Sequence, residues 1–420
     1  MDVERRQMKK FIFVFGIVLT AVGVKSQTMY VKRNDAYVRQ GPGSYYPFVV
    51  VLQFGARIEK IGSSGDWFKV KVPENKEGWI AANCLSDRQS QAAMFYRISK
   101  GWSSAGASES ALAAAIKGFA KKYGRVSTGN VESVLEYSNK TFTASELAAF
   151  DKPLVDDGSD NRGKMDLNGL DFKAPVYDPS MDEQAIGVGI AARLLSGGIV
   201  NDPSLKKYVN MIAAVLAESS EVYNWDFTVF VLNDTTLDGF ACPGGYIFVT
   251  LGAIRACNDE SMLAAIIAHE MGHVIGRNGL EEMAKRAVDI KADSAFSELD
   301  EETGWHSKTD QDLESMAQES YDEVVHRRLF RYEKEADEMS AVLCANAGYD
   351  PWGIVRLDRK VDRLSRTANP DIFGSDFSLH NDPAERYKLI REFVEKHFSK
   401  ERPGARMKAR FESEPARIIH

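Results

Sequence analysis

The spacing of apolar positions divides the chain into a β-rich beginning and a helix-rich remainder. Residues 28–87 alternate between apolar and polar in short segments separated by Gly and Pro, as in "AYVRQGPGSYYPFVVVLQFG". Closely spaced short strands of this kind are typical of a small barrel. From about residue 181 the apolar positions recur at helical spacing, with strand-like runs at 227–233 and 245–250. We therefore expect a multidomain chain, in which a small all-β barrel precedes a mainly α (α+β) domain.

The region between these two parts, residues 88–180, has a weaker pattern. "SESALAAAIKGFAKKYG" predicts one helix, and Thr143 with Glu146 forms a capping box that predicts the start of another. Residues 151–166 lack apolar periodicity and predict a linker or mobile loop. We expect residues 88–180 to be a helical and linker region and 181–398 to be the second domain. Residues 399–420 are charged and predict a flexible tail.

The first 26 residues predict a secretory signal. Basic residues precede an apolar run from Phe11 to Val24, which is shorter than the roughly 20 residues of a membrane-spanning helix. We therefore expect residues 1–26 to direct export to the periplasm or envelope of a bacterium. An uncleaved anchor stays open as the alternative. No comparable apolar run follows, so we expect no integral membrane span after signal removal.

Composition and cysteine spacing narrow the function classes further. The apolar fraction is 44% and the net charge is −7 with both signs interspersed, which argues against nucleic acid as a partner. The four cysteines contain no CxxC pair, which argues against a cysteine zinc site and a thioredoxin-like redox site. Two disulfides and four free thiols both stay open. These cysteines are Cys84, Cys242, Cys257 and Cys344.

The motif "AHEMGH" at residues 268–273 lies in a segment that predicts a buried helix. Asn258 and Asp259 are start signals for this helix, and Gly276 is a stop signal. Apolar residues occupy most of its circumference, which is typical of a helix without a solvent-exposed face. Two histidines and a glutamate in such a helix are costly unless they have partners.

The spacing of the polar residues in this motif indicates a metal site. His269 and His273 lie one helical turn apart on the same face, so both rings can reach one Zn²⁺ ion. Glu270 is adjacent to them and is the candidate general base that takes a proton from the attacking water. The alternative is that these are ordinary solvated or core side chains.

A catalytic zinc site needs a third protein ligand, and the helix in "LFRYEKEADEMSAVLCANAGYDP" offers one. Glu333 and Asp337 share a face one turn apart, with Glu333 as the candidate ligand and Asp337 as the acceptor that orients a histidine. Ala336, Ser340 and Ala341 are small enough on that side for the helix to approach the histidine helix.

These segments together resemble the HtpX/BepA/LoiP-type zinc metallopeptidases, which are gluzincins related to the CAAX prenyl proteases. The similarity rests on "HEMGH", "YEKEADEMSA", "GFACPGGYIFVTLGAI" and "SLHNDPAER", and it covers about 181–395. Asp238-Gly239 stands where the family pattern has Asn-Ala, and no proline follows His380 directly. The order "VRQGPG…GDWFKV…GWIAANCL" likewise resembles the bacterial SH3-like domain.

The resemblance implies one Zn²⁺ per chain, held by His269, His273 and Glu333, and a helper role for Asp337. It further implies that His380 and Arg386 contact the transition state. The segment "FACPGGYIFVT" predicts a hairpin with an edge strand, to which an extended polypeptide substrate can add. The residues of that hairpin expected to bind substrate are Phe240, Ala241, Gly244 and Gly245.

We therefore expect an exported zinc metalloendopeptidase that hydrolyses peptide bonds in cell-envelope proteins and acts in protein quality control. The SH3-like domain is expected to tether it to peptidoglycan or to envelope proteins, with Trp67 and Trp79 as candidate contacts or as ordinary packing residues. A chaperone-like adaptor that cleaves little is the alternative function.

Residues 290–320 are polar and lie between the two ligand helices in the sequence. We expect them to form either a lid or a disordered segment.

Overall fold

The structure of the chain is a computed structural model. It describes residues 27–31, 36–53, 55–72, 76–87, 131–170, 187–278 (except 188, 189, 193, 196, 197 and 224), 330–367 and 383–413. The predicted signal, the predicted helix near residues 108–124, the 290–320 segment and His380 lie outside these residues. Within the described part, no helix combines the length and the apolar character that crossing a bilayer requires.

The N-terminal part is a seven-stranded antiparallel sheet that encloses its own apolar core, as the SH3-like prediction requires. The order of its strands in the sheet is β3-β2-β6-β5-β4-β1-β7. The strands are β1 (Gln27–Val31), β2 (Ala36–Arg39), β3 (Phe48–Leu52), β4 (Arg57–Ser64), β5 (Trp67–Lys71), β6 (Glu77–Ala81) and β7 (Leu85–Ser86).

The rest of the described chain is mostly helical, with one small sheet, so the expected α+β class is confirmed. Its helices are α1 (Val131–Tyr137), α2 (Ala144–Asp156), α3 (Pro203–Glu218), α4 (Leu251–Ala256), α5 (Glu260–Gly276), α6 (Phe330–Ala347), α7 (Trp352–Thr367), α8 (Pro383–His397) and α9 (Lys408–Ser413). The sheet contains β8 (Thr228–Leu232), β9 (Gly239–Cys242) and β10 (Tyr246–Thr250). Strand β10 lies in the centre, parallel to β8 and antiparallel to β9.

Two expectations about irregular segments were wrong. Residues 151–156 continue α2, and Asp151 and Leu154 are buried, so this stretch is not a loop. The C-terminal segment is not a flexible tail up to residue 413: α9 is formed, and Arg406 and Arg410 bind buried carboxylates on α5 and its cap. Residues 414–420 lie outside the described part.

The four cysteines are all buried and free, so the disulfide alternative is wrong. The expected capping box is present at the start of α2, where the side chains of Thr143 and Glu146 satisfy each other's backbone N–H. Gly348 ends α6 in the left-handed region with φ 89°, as the sequence predicted for a helix stop.

Candidate metal centre

Helix α5 carries the two histidines, and its first residues are fixed by a buried cap. Asp259 is fully buried, and its side chain accepts a hydrogen bond from the backbone N–H of Met262 at 3.1 Å. The helix ends at Gly276, and Arg277 takes up the left-handed conformation with φ 52°. Nearly every side chain of α5 is buried, as its apolar circumference predicted.

Small residues allow α5 and α6 to approach each other closely. A Cβ atom added to Gly272 would lie 3.0 Å from the Cα atom of Ala336, which leaves no room for a larger residue. The hydroxyl of Ser340 donates to the backbone oxygen of Ala265 at 2.8 Å and links the same two helices. The side of α6 that carries small residues therefore packs against the histidine helix, as the sequence predicts.

This crossing brings three potential metal ligands together. The Nε2 atoms of His269 and His273 lie 3.1 Å apart. The Nε2 atom of His269 lies 3.5 Å from one carboxylate oxygen of Glu333, and the Nε2 atom of His273 lies 3.3 Å from the other. All three side chains are buried, and their ligand atoms lie within 4.8 Å of one another.

The spacing and chemistry of these atoms fit a zinc ion. Two donors at about 2.1 Å from a tetrahedral zinc ion lie about 3.4 Å apart. The two Nε2 atoms lie 3.1 Å apart, and they lie 3.5 Å and 3.3 Å from different oxygens of the Glu333 carboxylate, which is close to this value. Two imidazoles and one carboxylate are also a donor set that zinc hydrolases use, with a further coordination position left over.

Each of the two histidines also has an oxygen atom beside its Nδ1 atom, and this contact directs the Nε2 atom toward the ligand cluster. The Nδ1 atom of His269 lies 2.8 Å from Oδ1 of Asp337, and the Nδ1 atom of His273 lies 3.0 Å from Oδ1 of Asn278. An oxygen acceptor beside each Nδ1 favours the tautomer in which Nδ1 carries the proton, so that the deprotonated Nε2 atom can bind a metal. The sequence predicted the Asp337 contact but not the Asn278 contact.

Arg386 lies against the carboxylates of this cluster. Its Nη1 donates to Glu333 at 2.8 Å, while Nε and Nη2 donate to the two carboxylate oxygens of Asp337 at 3.0 Å and 2.7 Å. A third carboxyl group, on the buried Asp358, lies 3.8 Å from Nη2. In this structure the guanidinium of Arg386 binds the carboxylates of Glu333 and Asp337, and its expected contact with the transition state stays a prediction. His380 lies outside the described residues.

The electrostatics of the cluster favour a cation. Burial opposes a charge on His269, but its hydrogen bond to Asp337 and the carboxylate of Glu333 outweigh burial and raise its pKa to about 10. Burial likewise opposes ionisation of Glu333, but the charges of Arg386 and His273 hold its pKa well below the usual range. Burial and the carboxylate of Asp337 raise the pKa of Asp358 to about 8. The cluster therefore keeps its ligand carboxylate ionised and attracts positive charge.

Glu270 lies between the histidines and the small sheet. It is 3% exposed, and a Cβ atom added to Gly239 would lie 2.7 Å from its Oε1 atom. The absence of a side chain at Gly239 therefore lets the carboxylate of Glu270 pack against the backbone of β9. In the sequence, Gly239 is marked only by its departure from the family pattern.

The residues expected to bind substrate lie on β9 and in the turn that follows it. Phe240 and Ala241 belong to β9, which is the edge strand on this side of the three-stranded sheet. Gly244 and Gly245 form the turn to β10 with φ 79° and 92°, and a Cβ atom at Gly245 would lie 2.3 Å from the backbone oxygen of Asp226. Glycine is therefore required in this turn by the conformation of the hairpin itself.

Comparison with known proteins agrees with this geometry. Residues 203–397 match the model of peptidase family M48, and residues 34–86 match the model of the bacterial SH3 domain. Both resemblances expected from the motifs are thereby confirmed.

The similar proteins include bacterial and mitochondrial metallopeptidases. The chain is 29% identical over 176 residues to a Vibrio cholerae protein named as a beta-barrel assembly-enhancing protease, which covers 41% of this chain and 36% of that protein. It is 24% identical over 189 residues to the Escherichia coli O157:H7 beta-barrel assembly-enhancing protease, which covers 42% of this chain and 36% of that protein. It is 33% identical over 94 residues to the mitochondrial metalloendopeptidase OMA1 of Schizosaccharomyces pombe, over 22% of this chain and 28% of that protein. The chain thus spans about a third of the length of the bacterial relatives.

Proposed function

Since residues 203–397 are a peptidase family M48 domain and residues 34–86 a bacterial SH3 domain, we propose that this chain is an exported zinc-dependent metalloendopeptidase of the bacterial envelope. The observation that carries this proposal is the convergence of His269, His273 and Glu333, with Glu270 next to them. One Zn²⁺ ion per chain, held by these three side chains, would polarise the scissile carbonyl and increase the acidity of water.

The side chains around the cluster have distinct roles in this proposal. The carboxylate of Glu270 takes a proton from the attacking water and later delivers it to the leaving amine. Asp337 and Asn278 hold the protons on the Nδ1 atoms of the two histidines, so that the Nε2 atoms keep their lone pairs. Arg386 neutralises and orients Glu333 and Asp337. His380 is proposed, by family resemblance alone, as a contact for the developing oxyanion.

The substrate is proposed to bind as an extended polypeptide along β9. This strand lies at an edge of its sheet, and its backbone at Gly239 is adjacent to the carboxylate of Glu270. Addition of a strand would pair the substrate backbone with β9 and place a peptide bond close to the general base. Phe240 is only partly buried on this strand and would contact a substrate side chain.

The biological substrates are proposed to be envelope proteins. This follows from the predicted signal at residues 1–26 and from relatives named for a role in β-barrel assembly. We further propose that a solvent-facing surface of the barrel tethers the enzyme to peptidoglycan or to envelope proteins.

Substitution of the general base tests the enzymatic part of the proposal. In Glu270→Gln the shape of the side chain is kept but the proton acceptor is lost, so cleavage of an unfolded protein such as casein should fall about 10²–10⁴-fold. The zinc content, measured by elemental analysis, should stay at one ion per chain. Glu335→Gln on α6 is the matched control, because Glu335 belongs to a surface ion pair with Arg331.

Two results would overturn the proposal. Cleavage at the wild-type rate by Glu270→Gln with its zinc retained would exclude Glu270 as the general base and overturn the proposed mechanism. Unchanged zinc content in Glu333→Ala would remove Glu333 as a ligand. Comparison of envelope proteins trapped by Glu270→Gln with those bound by the wild type identifies the substrates.

A further inference from the structure

One face of the barrel is docked against the peptidase domain. Tyr37 of β2 belongs to the large apolar core of that domain, and Phe48 and Val51 of β3 pack against the same core. Trp67 contacts Tyr223 with 5.7 Å between ring centroids, and the hydroxyl of Tyr223 donates to Asn83 at 2.9 Å. Trp67, a candidate ligand contact in the sequence, therefore packs at the junction of the two domains.

A buried arginine defines how the two domains fit together. Arg39 of β2 is 1% exposed, and its Nη2 atom donates to Glu218 Oε2 at 3.0 Å and also to the backbone oxygen of Glu218. The guanidinium carbon lies 4.7 Å from the ring centroid of Phe48. Glu218 is the last residue of α3, so the arginine charge also lies at the favourable end of that helix. A buried ion pair that is fully bonded specifies one docking geometry, because any shift leaves a charge without its partner.

The docked barrel is connected to the end of α6, the helix that carries Glu333. The backbone oxygen of Tyr45, in the β2–β3 turn, accepts hydrogen bonds from Nε and Nη2 of Arg162 at 3.2 Å and 2.7 Å. The Nη1 atom of Arg162 donates to the backbone oxygen of Ala347, the last residue of α6, at 2.8 Å. The next residue, Gly163, has φ 64° and donates from its N–H to the side chain of Asn346. One arginine therefore bridges the barrel and the ligand helix.

A second connection leads to α5, the histidine helix. Asp151 of α2 is 2% exposed and interacts electrostatically with Arg162, Arg39 and Arg410. Arg410 in turn donates to the backbone oxygen of Phe150 at 2.7 Å and to the carboxylate of Glu260, the first residue of α5. Arg410 thus links α2 to the start of α5, and Asp151 of α2 interacts electrostatically with Arg39 of the barrel.

From these contacts we propose that the docked barrel is a positioning element of the metal centre, and that Arg39 and Arg162 are the positioning residues through which it acts. The inference rests on the proposed function in one respect, namely that α5 and α6 hold a metal. The two helices supply all three ligands, and a catalytic constellation must be held to within about 0.5 Å of its working geometry. Loss of the docking contacts should therefore change the ligand geometry, although neither arginine touches a ligand.

Cobalt substitution of the full chain tests this inference, because the visible absorption of bound Co²⁺ depends on its ligand geometry. Arg39→Met and Arg162→Met each remove one docking contact, and Arg39→Lys keeps the charge beside Glu218 without the guanidinium fork. The control is Lys69→Met, which breaks the exposed Lys69–Glu77 ion pair on the barrel. Amide hydrogen exchange of the metal-free proteins provides a second measurement at 260–268 and 339–347.

If the inference is right, Arg39→Met and Arg162→Met bind Co²⁺ about tenfold more weakly, with altered visible spectra and faster exchange in both helix segments. Arg39→Lys gives intermediate values, and Lys69→Met matches the wild type. If one arginine variant does not fold, the other is judged by the same criteria. Wild-type spectra together with wild-type exchange in the arginine variants would overturn the inference. Failure of the wild type to bind Co²⁺ would instead refute the proposed function, and the exchange measurement would still decide whether the barrel positions the helices.

Discussion

In His269 and His273 the Nδ1 atom of each ring faces an oxygen acceptor, on Asp337 and Asn278 respectively. This arrangement determines which nitrogen is available to a metal, because a neutral imidazole has one protonated and one unprotonated nitrogen. The affinity of the site for zinc therefore depends on side chains that do not bind the ion. Asn278 is the less obvious of the two acceptors, since it follows the end of the histidine helix.

Asn278→Ala tests the contribution of this acceptor. Without it the ring of His273 can rotate and change tautomer, so the zinc dissociation constant should rise about 10–100-fold while the fold is kept. Competition with a chromophoric chelator measures the change. Asn139→Ala, which removes an exposed asparagine that bonds to the backbone oxygen of Glu136, is the matched control. Equal zinc affinity in the two variants would show that Asn278 does not orient His273.

The ligands could be predicted from the sequence, but their supporting residues could not. His269, His273 and Glu333 belong to motifs whose helical spacing places them on a shared face. Gly239 and Gly272 matter because another element approaches each of them, and no local pattern predicts such an approach. Arg386 was selected by resemblance, but its contacts with two carboxylates depend on how α8 packs against α6.

At the scale of elements, the start of α5 combines a helix cap with an ion-pair network. Asp259 accepts hydrogen bonds from Ser261 at 2.6 Å and from Arg406 at 2.8 Å, and Arg356 is also nearby. Burial would raise the pKa of Asp259, but the hydrogen bond from Ser261 and the two arginine charges hold it below its ordinary value. Ionised Asp259 therefore stabilises the folded chain.

The pH dependence of stability checks this role. A carboxyl group with a lowered pKa stabilises the folded state at pH values above its unfolded pKa, about 3.9, and this stabilisation is lost as the pH falls through its folded pKa. The Tm of the wild type should therefore exceed that of Asp259→Asn most at neutral pH, and the difference should shrink below about pH 4. Thermal unfolding from pH 7 to pH 3 measures it, with both proteins free of metal.

Asp156→Asn is the control for this measurement, because it removes an exposed partner of Lys152 on α2. Such surface pairs contribute about 0–1 kcal/mol, so we expect little change in Tm at any pH. A difference between the wild type and Asp259→Asn that does not vary with pH would contradict an electrostatic role for Asp259.

The elements themselves were predictable where the apolar period is strong, and less so where charged residues are buried. Helices α3 and α5 follow their apolar spacing and begin directly after Asp202 and Asp259, the aspartates that cap them. Residues 151–166 lack apolar periodicity, so their pattern predicts a loop. In the structure α2 continues to Asp156, and Asp151 is buried among arginines from distant segments. A charged residue that tertiary contacts bury cannot be distinguished, from the local sequence alone, from one that lies in solvent.

At the scale of the whole molecule, the C-terminal segment packs against the start of the histidine helix. Ala405 and Tyr349 form a bridge, and Arg410 binds the carboxylate of Glu260. Glu260 is fully buried and also accepts hydrogen bonds from Tyr208 at 2.8 Å and from Tyr349 at 2.6 Å. Composition alone predicted a flexible tail here, because a segment rich in Arg and Lys resembles a solvated one until the buried acid is known.

Arg410→Met should therefore destabilise the whole domain, because it leaves Glu260 buried with only neutral partners. Removal of one partner of a buried pair costs about 3–5 kcal/mol, whereas Arg402→Met, at an exposed arginine of the same segment, should cost about 0–1 kcal/mol. Urea denaturation of both variants measures the difference in the free energy of unfolding. The double variant Arg410→Met with Glu260→Gln should regain part of the loss, because the unpaired charge is then absent. Equal stability of the two single variants would mean that the C-terminal segment does not stabilise α5. In that case the electrostatic contacts that lead from the barrel to Asp151 would have no further effect on the histidine helix.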